Sequence, residues 1–183
     1  HAVEWQIQQY SDMSDAIAYT YQQDGHSFYV LIFPTANTTW VYDVATQAWH
    51  ERAGWSNGEF VRHRSNCQVS YNNQIIVGDY QNGNIYAFDL NTYADNGQVQ
   101  KWLRSWRALP TGQNNLKRTA QHSLQIDIEA GTGLNLGQGD DPQVMLRWSD
   151  DGGHTWSNEH WAPIGKIGEY RSEEHTSELQ SRE

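Results

Sequence analysis

Apolar and polar positions along most of this chain alternate in short runs broken by turn residues, a pattern that predicts strands rather than helices. "HSFYVLIF" at 26–33 is dense in β-branched and aromatic residues and lies between "QDG" and "PTANT". "TTWVYDV" at 38–44 follows with period-two alternation, and "TQAWHER" at 46–52 closes a three-strand meander. The same grammar recurs in "SNCQVSY" (65–71), a turn at 72–73, "QIIVGDY" (74–80), a turn at 81–84 and "IYAFDL" (85–90).

The two meanders share a finer signature. "WVYDVATQAW" (40–49) and "IYAFDLNTYA" (85–94) each place an aromatic–Asp pair after an alternating strand, and Tyr42-Asp43 and Phe88-Asp89 lie 46 positions apart. A period in the forties with three or four strands per unit is the spacing of propeller blades. In such a unit the Asp accepts the amides of its own turn, while the aromatic residue that follows the turn packs between sheets. A sandwich with two similar hairpins is the competing architecture. The predicted fold is therefore all-β, a partial β-propeller of antiparallel three- to four-stranded blades over residues 1–170, with a distinctive hairpin near its end.

Beyond residue 97 the pattern loosens. "VQKWLRSWRALP" (99–110) suits a helical face as well as an irregular strand, and Pro110 stops either. "HSLQIDIEAG" (122–131) alternates Leu124, Ile126 and Ile128 against Gln125, Asp127 and Glu129, which predicts a half-exposed strand. The Gly-rich "AGTGLNLGQGDDP" (130–142) lacks the Lys-Ser/Thr and the following helix of a phosphate loop, so it reads as a long hairpin connection. "QVMLRWSDDGGHTWSNEHW" (143–161) then predicts a strand, a tight turn on Asp150 to Gly153 and a return strand.

Composition narrows the function classes. With 37% hydrophobic residues, 9 Trp and 10 Tyr, the chain has material for a core, and no apolar run approaches the roughly 18 residues that span a bilayer. The formal charge of -10 opposes the broad electropositive surface of a non-specific nucleic-acid binder. Two small basic groups, "RHR" at 62–64 and "NLKRT" at 115–119, offer phosphate contacts but are predicted to be solvated loops. Cys67 has no second cysteine to pair with and is predicted to be a small buried residue, not a nucleophile. The 8 His are scattered without zinc-site spacing, so neither a metal nor a cofactor is assigned.

The strongest motif is "SDDGGHTWS" (149–157). Its Ser149, Asp151, Gly153, Thr155 and Trp156 resemble the Asp-box of sialidases and related glycan-processing propellers. Each letter has a folding role: Gly152 and Gly153 take positive φ, Asp151 bonds the turn, Thr155 suits the return strand, and Trp156 supplies a buried ring. A glycosidase needs two carboxylates converging on one bond. Asp43, Asp89, Asp127, Glu129 and Glu159 are available, as are Arg104, Arg107, Arg118 and Arg147 for an acidic sugar, but no spacing arranges them. No catalytic, cofactor-binding or metal residue is assigned, and the sequence is read as a non-enzyme.

The longer text carries a second resemblance. "FYVLIFPTANTTWVYDVATQAWHERAGW", "QVSYNNQIIVGDYQNGNIYAFDLNTY" and "DPQVMLRWSDDGGHTWSNEHWAPIGKIGEYR" resemble the C-terminal part of phage packaged-DNA stabilisation proteins, the tail-hub or head-completion proteins of short-tailed phages. The resemblance implies a virion β-propeller that docks under the portal and adaptor rings, closes the channel after packaging and carries the tail needle. It implies other tail and portal-adaptor proteins as partners, a homo-oligomer in the virion, weak contact at most with packaged DNA, no membrane, and residence in host cytoplasm during assembly. The family has no catalytic residues to carry over. A sialidase-like or glycan-binding propeller is the alternative, and a kelch-like interaction module a third. "HAVEWQ" lacks an initiator Met and a signal pattern, which leads to the expectation of C-terminal blades from a longer reading frame. "RSEEHTSELQS" (171–181) resembles the translation of a sequencing adapter, so 171–183 is set apart as an appendage, and the remainder still carries a formal charge of -8.

Overall fold

The computed structural model describes residues 2–106, 124, 126–137 and 139–169. They fall into two compact units that divide between Arg104 and Ser105.

The first unit opens with one short helix, α1 (Ala2–Gln8), and continues entirely in strands. Strands β1 (Ile17–Gln23), β2 (His26–Phe33), β3 (Thr38–Asp43) and β4 (Ala48–Glu51) form an antiparallel sheet in that order. The predicted meander is thus present, with β1 added before it. Asp24 and Gly25 join β1 to β2 at φ 50° and 79°, the signs of a type I′ hairpin turn. A two-stranded hairpin follows, β5 (Ala53–Ser56) and β6 (Glu59–Arg62), turning on Asn57 and Gly58 at φ 52° and 85°. Then come β7 (Ser65–Tyr71), β8 (Gln74–Asp79) and β9 (Ile85–Ala87), a three-stranded antiparallel sheet whose first turn, Asn72 and Asn73, also has positive φ at both residues. The two-residue strands β10 (Ala94–Asp95) and β11 (Gln98–Val99) close the unit.

The sheets are held face to face. Tyr21, Val30, Ile32 and Val41 of the first meet Ile75 and Val77 of the second, with Tyr19, Phe28 and Phe88 packed around them. Val30, Ile32 and Val41 are wholly withdrawn from solvent, and each such side chain contributes about 1.5–3 kcal/mol of burial free energy.

The repeat seen in the sequence is physical. Asp43 accepts the Ala45 N–H on Oδ1 at 3.0 Å and the Thr46 hydroxyl on Oδ2 at 2.9 Å. Asp89 accepts the Asn91 N–H at 3.0 Å and the Thr92 hydroxyl at 2.7 Å through the same two oxygens. The repeats diverge just after these turns. Gln47 takes φ 55° and lets the chain return beside β3 as β4, whereas the second copy reverses at Asn96 and Gly97, φ 51° and 75°. Consequently β10 pairs with β11 and β9 is left as the outer strand of its sheet.

Two expectations are corrected here. Cys67 is exposed, not buried. A β-bulge between Ser65 and Cys67 inserts one residue, so these two positions face opposite ways although they are two apart, and Ser65 takes the buried side. The predicted strand at 122–131 is not formed by its described residues, 124 and 126–131, which belong to no strand ladder. Alternation marks a sidedness, but a strand exists only with a ladder partner.

In the second unit β12 (Gln143–Leu146) pairs antiparallel with β13 (His160–Pro163), from Gln143 opposite Pro163 to Leu146 opposite His160. The Gly-rich segment before β12 folds on itself through a Leu134 N–H to Gly139 carbonyl bond of 2.8 Å, and the Gly168 N–H returns to the Gly131 carbonyl.

Candidate functional site

The motif at 149–157 sits in the connection from β12 to β13. Asp151 organises it: its Oδ1 accepts the Thr155 N–H at 2.8 Å and the Ser149 hydroxyl at 2.8 Å, and its Oδ2 accepts the Thr155 hydroxyl at 2.6 Å. Ser149 Oγ in turn accepts the Gly153 N–H at 2.7 Å, and Gly152 and Gly153 hold φ 76° and 98°. These bonds, the Thr155 hydroxyl first, hold the carboxyl down to about 2. A group so fixed in its ionised form is the opposite of a general acid, whose pKa must be raised.

Two letters of the motif behave differently from expectation. Thr155 lies outside the return strand, and Trp156 is 51% exposed, with the Arg147 guanidinium 5.7 Å from its ring centre. The regular ladder ends at Leu146 and His160, and beyond it strand alternation no longer decides which side chains turn inward. Trp148 is the ring that packs, stacked 4.6 Å from His160.

The candidate carboxylates are not assembled. Asp43 and Asp89 belong to the first unit and are occupied by their turns, and Asp43 also holds His26 Nδ1 at 2.8 Å. For Asp43 burial pulls the pKa upward, but the bonds from His26, Thr46 and the Ala45 amide outweigh it and the net shift is down. Asp127, Glu129 and Glu159 are exposed residues of the second unit. No hydrogen bond joins any two of the five among the described residues. Arg104 and Arg147 fall in different units, and Arg107 and Arg118 lie outside the described residues, as does the basic group at 115–119. A groove of the first unit, about 710 Å³, is walled by Tyr21, Phe28, Tyr29, Ile75 and Phe88 and carries Asp24 as its one lining carboxylate.

The basic run 62–64, expected to be a solvated loop, is instead the stitching between the sheets. The Arg62 guanidinium lies 3.6 Å over the Tyr80 ring centre. Arg64 donates to Asp79 at 3.2 Å, Asp95 at 3.1 Å and Gln81 at 2.8 Å, and the two carboxylates raise its pKa against the opposing effect of burial. His63 donates its N–H to Thr39 Oγ1 at 3.2 Å, accepts the Ser65 N–H on Nδ1 at 3.2 Å and meets the Phe88 ring edge-on at 5.8 Å. Burial, assisted by the charges of Arg52 and Arg64, holds this imidazole neutral with a pKa of about 3. The Ser65 hydroxyl bonds both His63 Nδ1 and the Tyr19 hydroxyl, linking β1 to β7.

Arg52, which the sequence does not single out, completes this junction. It donates to the Tyr21 hydroxyl at 2.6 Å, and its guanidinium sits 5.6 to 5.8 Å from the ring centres of Tyr21, Phe28 and Phe88. Burial raises the pKa of Tyr21 in spite of that cation. One signal was available: His50 pairs with inward-facing Val41, and two-residue alternation then points Arg52 the same way. Such a cluster fixes one sheet on the next. It offers no opening in which a nucleophile and its base meet.

With this geometry, the match to known families is informative. A family model described as "Bacteriophage P22 Gp10, beta-propeller" matches residues 1–93, half of the chain. The chain belongs to the bacteriophage P22 Gp10 family. A second model, "Bacteriophage P22 Gp10, beta-sandwich", matches residues 101–181. No curated protein and no solved structure matches it.

Membership gives the two stitched sheets a place. They lie inside the segment matched as β-propeller, so the repeat at Asp43 and Asp89 is a repeat of blades in a phage packaged-DNA stabilisation protein. The family is one of phage structural proteins and not a known enzyme family. The two matches part at 93 and 101, a few residues before the boundary between the compact units at 104 and 105.

Proposed function

We propose that this chain serves in the phage tail, where it helps close the portal channel over packaged DNA and connects tail components. What carries the reading is the coincidence of the propeller match with two adjacent blade-type sheets whose inner polar residues are spent on joining them. Function in such a scaffold resides in the loops and sheet edges that meet partner subunits. The partners are other tail and portal-adaptor proteins and the tail needle, with further copies of the chain in the virion. Contact with DNA is weak and local, in keeping with the formal charge of -10. Assembly takes place in the host cytoplasm before the protein is held in the virion. The division of labour follows the two matches: residues 1–93 supply the C-terminal blades of a longer propeller, and the second unit supplies a separate β-sandwich.

The test is genetic and biochemical. A phage from which the gene is deleted is expected to package DNA and then lose it, giving particles that become nuclease-sensitive. Normal DNA retention in the deletion phage removes the proposal.

A further inference from the structure

Residues 94–100, which lie between the two family matches, and Lys101 after them do not run free of the first unit. β10 and β11 double back on each other, Ala94 opposite Val99 and Asp95 opposite Gln98, around the positive-φ turn of Asn96 and Gly97. The body they lie against is the β5–β6 hairpin, which shares a ladder with neither blade sheet.

Alternation gives that hairpin two faces. Gly54 and Val61 stand opposite each other on one, and Trp55 and Phe60 on the other. The two ends of the segment take different faces. Asp95 Oδ2 lies over the buried Gly54, 3.6 Å from where a Cβ would stand, on the side that Val61 lines. It is held there by Arg64 Nε at 3.1 Å in a mostly buried ion pair. Lys101 takes the other face: its ammonium is 4.1 Å from the ring centre of Trp55 and 5.9 Å from that of Phe60, and the two rings meet edge-on at 4.8 Å. The segment therefore grips the hairpin from both sides, with a carboxylate on one and an ammonium on the other.

The grip is what orders the segment. β10 and β11 have two residues each, and an isolated two-stranded ribbon is marginal in water even when longer. Asp95 lies inside the ribbon and Lys101 just beyond its end, so releasing either anchor loosens the short stretch that carries the other. The blade sheets do not share this dependence. Arg64 keeps Asp79 and Gln81 when Asp95 leaves, and Trp55 and Phe60 keep each other when Lys101 leaves.

We infer that residues 94–101 form a clasp on the β5–β6 hairpin that opens and closes as one two-state element while the blade sheets stay folded. Closed, it fixes where the chain leaves the first unit. Open, it returns residues 94–101 to the free connection, an added reach of up to about 28 Å. It rests on contacts within the first unit and not on the virion role, so DNA retention and the clasp fail independently.

Hydrogen exchange of the full chain, read by mass spectrometry, reports the clasp directly, because exchange of an element that opens locally scales with its opening constant. Lys101→Ala is expected to speed exchange across 94–99 about two- to fivefold, the worth of an exposed cation–π contact, although Lys101 belongs to neither strand. Asp95→Asn is expected to speed the same amides about tenfold, as loss of a hydrogen bond between charged groups requires. The double variant is expected to show the product of the two factors, since both anchors are lost in one opening. Lys101→Arg keeps a cation over the rings and is expected to exchange like wild type. Amides of β7 and β8 are expected to keep their wild-type rates in every variant. Exchange at 94–99 that ignores Lys101→Ala, factors that fail to multiply, a Lys101→Arg variant as open as Lys101→Ala, or acceleration that spreads to β7 and β8 overturns the inference.

Discussion

Acid sensitivity of the blade junction follows from His63. The imidazole is neutral in the folded protein because burial and two guanidinium groups disfavour its charged form, and its pKa falls from 6.5 to about 3. In the unfolded chain the same side chain titrates near the ordinary value, so below pH 6.5 the unfolded state binds one more proton than the folded state. Its stabilising contribution is therefore complete above pH 6.5 and is lost progressively as pH falls toward 3. At about 1.4 kcal/mol per pH unit once the unfolded histidine is protonated, the loss from pH 7 to pH 5 comes to about 2 kcal/mol. His50 is shifted down by burial and by Arg52, so it adds a loss of the same sign. His63→Asn isolates the His63 share, since its amide oxygen can still accept the Ser65 N–H. Urea unfolding followed by tryptophan fluorescence at pH 7 and pH 5 is expected to show a variant that is weaker at pH 7 but loses about 2 kcal/mol less than wild type on acidification. Equal acid losses in the two proteins refute the assignment. The carboxylates with lowered pKa, Asp43, Asp89 and Asp151, titrate below this window and leave the comparison clean.

Arg64→Met is expected to destabilise the first unit by about 3 kcal/mol in urea unfolding, because it leaves the fully buried Asp79 carboxylate without its cation; a loss below about 0.5 kcal/mol marks the ion pairs as dispensable. Asp151→Asn is expected to release the connection between β12 and β13, seen as faster hydrogen exchange at the Thr155 amide, while assays for sialoside and oligosaccharide cleavage stay at zero before and after the change. A cleavage activity that the substitution abolishes reopens a catalytic role for the motif.

How much of this was legible in the chain depends on the range of the forces involved. The strands at 26–33, 38–43 and 74–79, the positive-φ turn at Asn72 and Asn73, and the turn-capping of Asp43 and Asp89 are local matters. A few neighbouring residues settle them through side-chain alternation and through carboxylate bonds to amides two residues on. The hairpin of β5 and β6 was not predicted: its Asn57-Gly58 turn is a local signal, but alternation in its short strands is too brief to announce it. Asp151 belongs to this group, since its partners Ser149 and Thr155 lie within four residues.

Other features depended on where separate strands met. The bulge that turns Cys67 outward is a mismatch between β7 and β8 and has no marker in β7 alone. Trp156 points to solvent because the ladder stops before reaching it, and a ladder is made by two strands. The run 62–64 looks solvated in a sequence because three basic residues in a row prefer water. Only the folded chain brings Tyr80 beneath Arg62, Asp79 and Asp95 to Arg64, and Thr39, Ser65 and Phe88 around His63. The sequence by itself determined a chain of short strands with a blade-length repeat and self-capped turns, because those choices are decided within a few residues. The tertiary structure alone decided which charges are spent inside the junction, because that depends on desolvation and pairing between residues far apart in the chain.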